Sequence, residues 1–154
     1  MSIQNVLGFK AIVFDARRAT FISPQRQSFA WDSPTRCLVA KCPTCQDIPG
    51  DPCRCGIYAA REFKLAQRYA EDFNSAIVLL EACGKTILSW DSEAVGVSWR
   101  AAEAEIVAIV RWQQGEAIPQ PWMAAALHYE LPVLAPPVAE LMVKMSWERA
   151  LEAE

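Results

Sequence analysis

The stretch "SAIVLLEACGKTILSWDSEAVGVSWRAAEAEIVAIVRW", residues 75–112, decides what kind of fold this chain can have. Its first part holds three β-prone runs, "SAIVLLEA" (75–82), "KTILSW" (85–90) and "EAVGVSW" (93–99), separated by Cys83-Gly84 and Asp91-Ser92. Short apolar runs bounded by turn formers predict a meander of buried strands. The second part reads differently. Trp99, Ala102, Ile106 and Ile109 recur at helical spacing, with Arg100, Glu103 and Arg111 on the other side, so a helix is predicted from about Arg100 to Trp112.

Working outward, "VLGFKAIVFD" (6–15) is rich in Val, Ile and Phe and predicts a strand, with "ATFIS" (19–23) returning as its hairpin partner after Arg17-Arg18. "SPQRQSFAWDSP" (23–34), bracketed by two Ser-Pro pairs, reads as a loop anchored by Trp31. "REFKLAQRYAEDF" (61–73) places Phe63, Ala66, Ala70 and Phe73 on one helical face. "WMAAALHYEL" (122–131) predicts a short helix, and Pro136-Pro137 opens a last one through about Leu151, since proline suits a first helical turn. This order of elements predicts an α+β fold, a small, curved, mainly antiparallel sheet with packed helices. The C-terminal helical part spans about 116–154.

At 154 residues, 53% apolar and 21% charged, the chain has the size and composition of a single globular domain spanning 1–154. No segment reaches the roughly 18 apolar residues of a membrane span, and the N-terminus lacks a secretory pattern. A cytoplasmic protein without membrane contact is expected. The net charge of −3 is unevenly spread. Residues 1–68 carry ten basic against five acidic residues, and residues 69–154 five against thirteen, so the parts stand at +5 and −8. Such asymmetry either marks a basic surface for an anionic partner or is neutralised within one fold.

Four of the six cysteines fall in "CPTCQDIPGDPCRC", residues 42–55. Cys42 and Cys45 form C-x-x-C, and Cys53 and Cys55 form C-x-C. Paired thiolates at this spacing suit the tetrahedral site of a zinc ion. The intervening turn formers offer no core of their own, so a metal would supply the missing order. The reading is a structural zinc bound by Cys42, Cys45, Cys53 and Cys55 in a knuckle inserted at about 37–56. An iron–sulfur cluster, a disulfide or free thiols are the alternatives that the spacing leaves open. Cys37 either substitutes for Cys42 as a ligand or packs as an apolar residue in "RCLVAK", and Cys83 reads as core.

These residues resemble an uncharacterised family of small bacterial and phage proteins. The matching positions are Gly8-Phe9-Lys10, Trp31, Ala40-Lys41-Cys42, Pro49, Cys53-Arg54-Cys55-Gly56-Ile57-Tyr58-Ala59, Trp99-Arg100-Ala101 and "HYELPVL" (128–134). Cys45 stands where that family has His, Ser98 where it has Gly, and an extra Ala precedes the Glu in "WRAAE". The resemblance implies a metal knuckle in a β-rich domain encoded by a phage or mobile element. It carries no activity with it.

No catalytic constellation is legible. A zinc deaminase needs His-x-Glu upstream of its cysteine pair and an open coordination site, and the sequence has neither that motif nor a ligand set short of four thiolates. The lone histidine, His128, reads as a surface or packed residue, and there is no Gly-rich phosphate loop. The expected function is a zinc-stabilised, non-enzymatic binding module whose partner is nucleic acid or an acidic protein. Arg17, Arg18, Arg26, Arg36, Lys41 and Arg54, interleaved with Phe21, Phe29 and Trp31, are the candidate contacts. The alternatives are a protein–protein adaptor docking through Met142, Met145, Trp147 and Leu151, or an enzyme whose cleft involves Tyr58, Arg61 and Arg100.

Overall fold

A computed structural model describes residues 5–22, 32–50, 53, 55–68, 75–89, 97–110 and 120–153. Its strands are β1 (Leu7–Asp15), β2 (Thr20–Ile22), β3 (Asp32–Ser33), β4 (Cys37–Val39), β5 (Ile57–Ala60), β6 (Ser75–Ser89), β7 (Ser98–Val110) and β8 (Val133–Leu134). Its helices are α1 (Phe63–Gln67), α2 (Gln120–His128) and α3 (Pro136–Glu152). This is an α+β fold with a mainly antiparallel sheet; β8 alone among the described strands runs parallel to its neighbour, β7.

The long β6–β7 pairing organises everything else. Residues Ser75 to Leu80 are buried without interruption, as a strand covered on both faces must be. Cys83-Gly84, expected to separate two strands, instead lies inside one. Gly84 has φ +69°, and the register shifts between Cys83 and Thr86, so the glycine absorbs a bulge rather than making a turn. The expected helix from Arg100 is likewise corrected: residues 98–110 form β7, paired with β6 from Ser98↔Ser89 to Val110↔Ile77. Ala104, Ile106 and Ala108 are buried while Glu105 and Val107 between them are not, and this alternation of two prevails over the helical spacing. Trp90, the run 91–96, Arg111 and Trp112 lie outside the described residues.

β1 pairs β6 over Leu7–Val13, β7 pairs β5 over Ser98–Ala101, and Phe9 of β1 meets Ala60 of β5. The four strands β1, β6, β7 and β5 therefore close a ring, with β5 as its last and shortest segment. At the joint, a Cβ on Gly8 would stand 2.6 Å from Ala59 Cβ and 2.7 Å from Trp99 Nε1, so only glycine permits β1 to approach this closely. Trp99 is fully buried there, and its indole nitrogen has no hydrogen-bond partner among the described residues.

The helices cover the ring. Ser146 Oγ accepts from the Leu7 N–H at 2.9 Å and donates to Val143 O, while Trp147 Nε1 donates to Leu7 O at 3.0 Å, tying α3 to the start of β1. Trp147 is fully buried with Arg61 stacked 5.5 Å from its ring centroid, so it belongs to the core and not to an exposed docking face. Opposite it, Val138, Leu141, Met142 and Met145 are exposed along α3 at helical spacing. Phe14, Phe21, Trp122 and Tyr129 form an aromatic cluster with centroids 5.0 to 6.2 Å apart, which places Phe21 in the core rather than among base-stacking side chains. Phe29 and Trp31 lie outside the described residues. The helix expected over 61–73 is seen as α1, and residues 69–74 lie outside the description. No helix among the described residues is long and apolar enough to cross a membrane.

Candidate metal centre

β4 and β5 pair with adjoining stretches of β7, Glu103–Glu105 and Ser98–Ala101. The segment between them is thus an excursion whose two ends are pinned side by side on one strand. Ala40 N–H adds a bond to Ala102 O at 2.9 Å, extending the first anchor almost to Cys42. Lys85 on β6 holds Asp47 at 2.7 Å from outside, though both partners are largely exposed and such a pair contributes little energy.

Within this excursion the Sγ atoms of Cys42, Cys45, Cys53 and Cys55 all lie within 4.8 Å of one another. Cys42 Sγ and Cys53 Sγ are 3.8 Å apart. A tetrahedron with zinc–sulfur bonds of about 2.3 Å has edges of about 3.8 Å, so this spacing fits one shared ion. It is far longer than the roughly 2.05 Å of a disulfide, and all the cysteines are free. Cys55 is buried and the other three are half-buried, which places the group at the surface of the sheet.

Backbone geometry shapes the cradle. The Gly50 N–H donates to Cys55 Sγ at 3.2 Å, which favours a thiolate there. A Cβ on Gly50 would stand 2.7 Å from Cys45 Sγ, so the chain passes the sulfurs more closely than any side chain allows. Gly56 adopts φ +120° as the chain turns from Cys55 into β5, packed against Pro49 and the Ala101 carbonyl. With protons in place of a metal, the Thr44 hydroxyl beside Cys42 pulls that thiol down to about 6, whereas hydrogen bonding to Cys53 pushes Cys45 up to about 12. A thiophilic divalent cation would displace these shared protons.

Arg100 was not expected here. From β7 its Nη1 donates to Gly50 O at 2.8 Å, Cys53 O at 2.8 Å and Cys55 O at 3.1 Å, gathering three carbonyls around one nitrogen. It was expected on the outer face of a helix, or in an enzymatic cleft; its half-buried guanidinium instead serves the knuckle. Nothing local signals this, because the contact spans 45 to 50 residues of sequence.

Cys37 does not join the group. It is exposed on β4 opposite Glu105, so neither the ligand reading nor the packed reading applies to it. Alternation along β4 explains this, since Leu38 takes the inward position. Cys83 is half-buried rather than core, and burial followed by the Glu81, Glu105 and Glu103 carboxylates pushes its thiol up.

The basic residues are dispersed in role. Arg17 and Arg18 are exposed on the turn after β1, where Asp15 Oδ1 accepts both of their backbone N–H groups and Arg18 Nε stands 3.7 Å from Asp15 Oδ2. Arg36 is bound to Glu105 at 2.6 Å and to Tyr129 O at 3.3 Å, so its charge is largely compensated. Lys41 is exposed beside Cys42, and Arg26 and Arg54 lie outside the described residues. His128 is exposed at the end of α2 with its ring against Tyr129. Comparison with protein-family models, curated proteins and solved structures yields no match to this chain.

Proposed function

We propose that the protein is a zinc-stabilised, non-enzymatic binding module in which Cys42, Cys45, Cys53 and Cys55 hold a structural zinc ion. The convergence of four thiols within 4.8 Å of one another carries this reading. A cubane cluster is the poorer fit, because its thiolates bind separate irons and stand farther apart. Four ligands fill the tetrahedron and leave no position for a reacting water, which favours a structural role over a catalytic one. The kinship with small bacterial and phage proteins belongs to the same proposal.

For the partner, exposed Arg17, Arg18 and Lys41 support nucleic acid or an acidic protein. Anisotropy titrations with single- and double-stranded oligonucleotides over a salt series test this. Each phosphate contact releases a counterion, so Arg17→Glu with Arg18→Glu should weaken binding and reduce the salt slope by about 2. Absence of binding at low salt rejects nucleic acid. The exposed row Val138, Leu141, Met142 and Met145 on α3 favours a second reading, a protein–protein adaptor. Under it, Leu141→Asp with Met145→Asp abolishes capture of a protein partner while the zinc content stays unchanged.

A further inference from the structure

The knuckle and the last strand of the ring are joined through one side chain. β5 is four residues long and begins two positions after Cys55, and its connection to β1 rests on the single Phe9↔Ala60 pairing. A strand this short has little to hold it but its neighbours. Arg100 sits opposite Tyr58 on β7, between Trp99 and Ala101, which pair with Ala59 and Ile57 of β5, and its guanidinium holds the three knuckle carbonyls. One of those carbonyls, Cys55 O, belongs to a residue that offers its sulfur to the metal group and whose chain runs through Gly56 into β5. Ala59 of β5 in turn lies against Gly8 at the joint, where Trp99 is buried.

We propose that Arg100 is the positioning residue through which metal occupancy closes β5 onto the ring. The inference rests on the zinc reading above and adds a consequence to it: the metal controls whether the β1–β5–β7 joint is shut. With the ion bound, Gly50, Cys53 and Cys55 are fixed and present their carbonyls as a ready acceptor set for Nη1. Without it, the excursion loses its internal tether, the acceptor set disperses, and β5 keeps only its ladder bonds. The ladder between β1 and β6 and the contacts of α3 with Leu7 involve no knuckle residue, so they persist.

The test is hydrogen exchange on the full chain, with and without a zinc chelator, together with zinc release followed by a chromogenic chelator. Removing zinc from the wild type should speed exchange of the 57–60 amides at least about tenfold and leave those of 10–13, beyond the Phe9–Ala60 joint, unchanged. Arg100→Met should release zinc about 10–100-fold faster, the usual scale for a partner that orients metal ligands. It should also show fast exchange at 57–60 with zinc still bound. Arg100→Lys, which keeps the charge but not the planar fork, should restore only part of the slow release. Zinc-loaded wild type whose β5 stays protected on chelation overturns this inference alone. So does general loss of protection including 10–13, or an Arg100→Met variant that releases zinc at the wild-type rate. A wild type that takes up no zinc overturns the metal reading and this inference together. The chelation experiment needs no variant, so it decides the matter even if Arg100→Met fails to fold.

Discussion

Replacing Lys10 by Met should stabilise the protein near neutral pH, with a gain that shrinks as pH rises. Lys10 lies in β1 opposite Val78, partly solvated at its surface yet closely surrounded by protein, and desolvation pulls its amine from an ordinary 10.5 down to about 8. The folded chain thus releases this proton more readily than the unfolded chain. Between about pH 8 and 10.5 the unfolded state binds more protons, so stability rises with pH in that window. Below it both states are protonated and the whole cost of burying the ammonium is present. At about 1.4 kcal/mol per tenfold change in proton affinity, that cost is about 3 kcal/mol at pH 7. About 2 kcal/mol of it disappears by pH 9.5. Partial solvation of the side chain reduces both figures, to about half. Cys83 and Tyr129, whose protons the folded chain holds more tightly, tilt the profile the other way but cancel between wild type and variant. Urea unfolding of both proteins at pH 7 and 9.5 measures the difference. A variant less stable at pH 7, or one whose advantage is equal at both pH values, refutes the reasoning.

Two further substitutions probe separate parts of the structure. Gly50→Ala should lower zinc affinity at least about tenfold, because its Cβ would stand 2.7 Å from Cys45 Sγ and displace that ligand; competition with a chelator of known affinity measures it. Trp147→Ala should destabilise the fold by about 3–5 kcal/mol through loss of a fully buried indole, and the Leu7 O bond goes with it, as denaturant titration would show. A small change there would contradict the placement of α3.

The parts of this fold that were legible in the sequence are those fixed by local chemistry. The β1–β2 hairpin followed from two β-branched and aromatic runs around a polar turn, and α3 from Pro136-Pro137 at its first turn. β7 was not legible, because "AAEAEIVAIV" opens on the strong helix formers Ala and Glu and carries apolar residues at both periods. The choice between them was made by β6, at long range, through pairing that no local window contains. Gly84 misled for a related reason: a glycine between apolar runs signals a turn and a bulge alike, and only the partner strand distinguishes them. The cysteine cluster could be singled out because its ligands sit close in sequence. Arg100, which organises the same segment from about a third of the chain away, could not.

Metal content is the measurement that bears most directly on the central claim. Protein purified without added metal should contain about one equivalent of zinc by elemental analysis, and Cys53→Ser should lower both the zinc content and the melting temperature. Absence of zinc, or a metal-free protein that melts at the same temperature as the loaded one, would contradict the account of a zinc ion that holds residues 42–55 together.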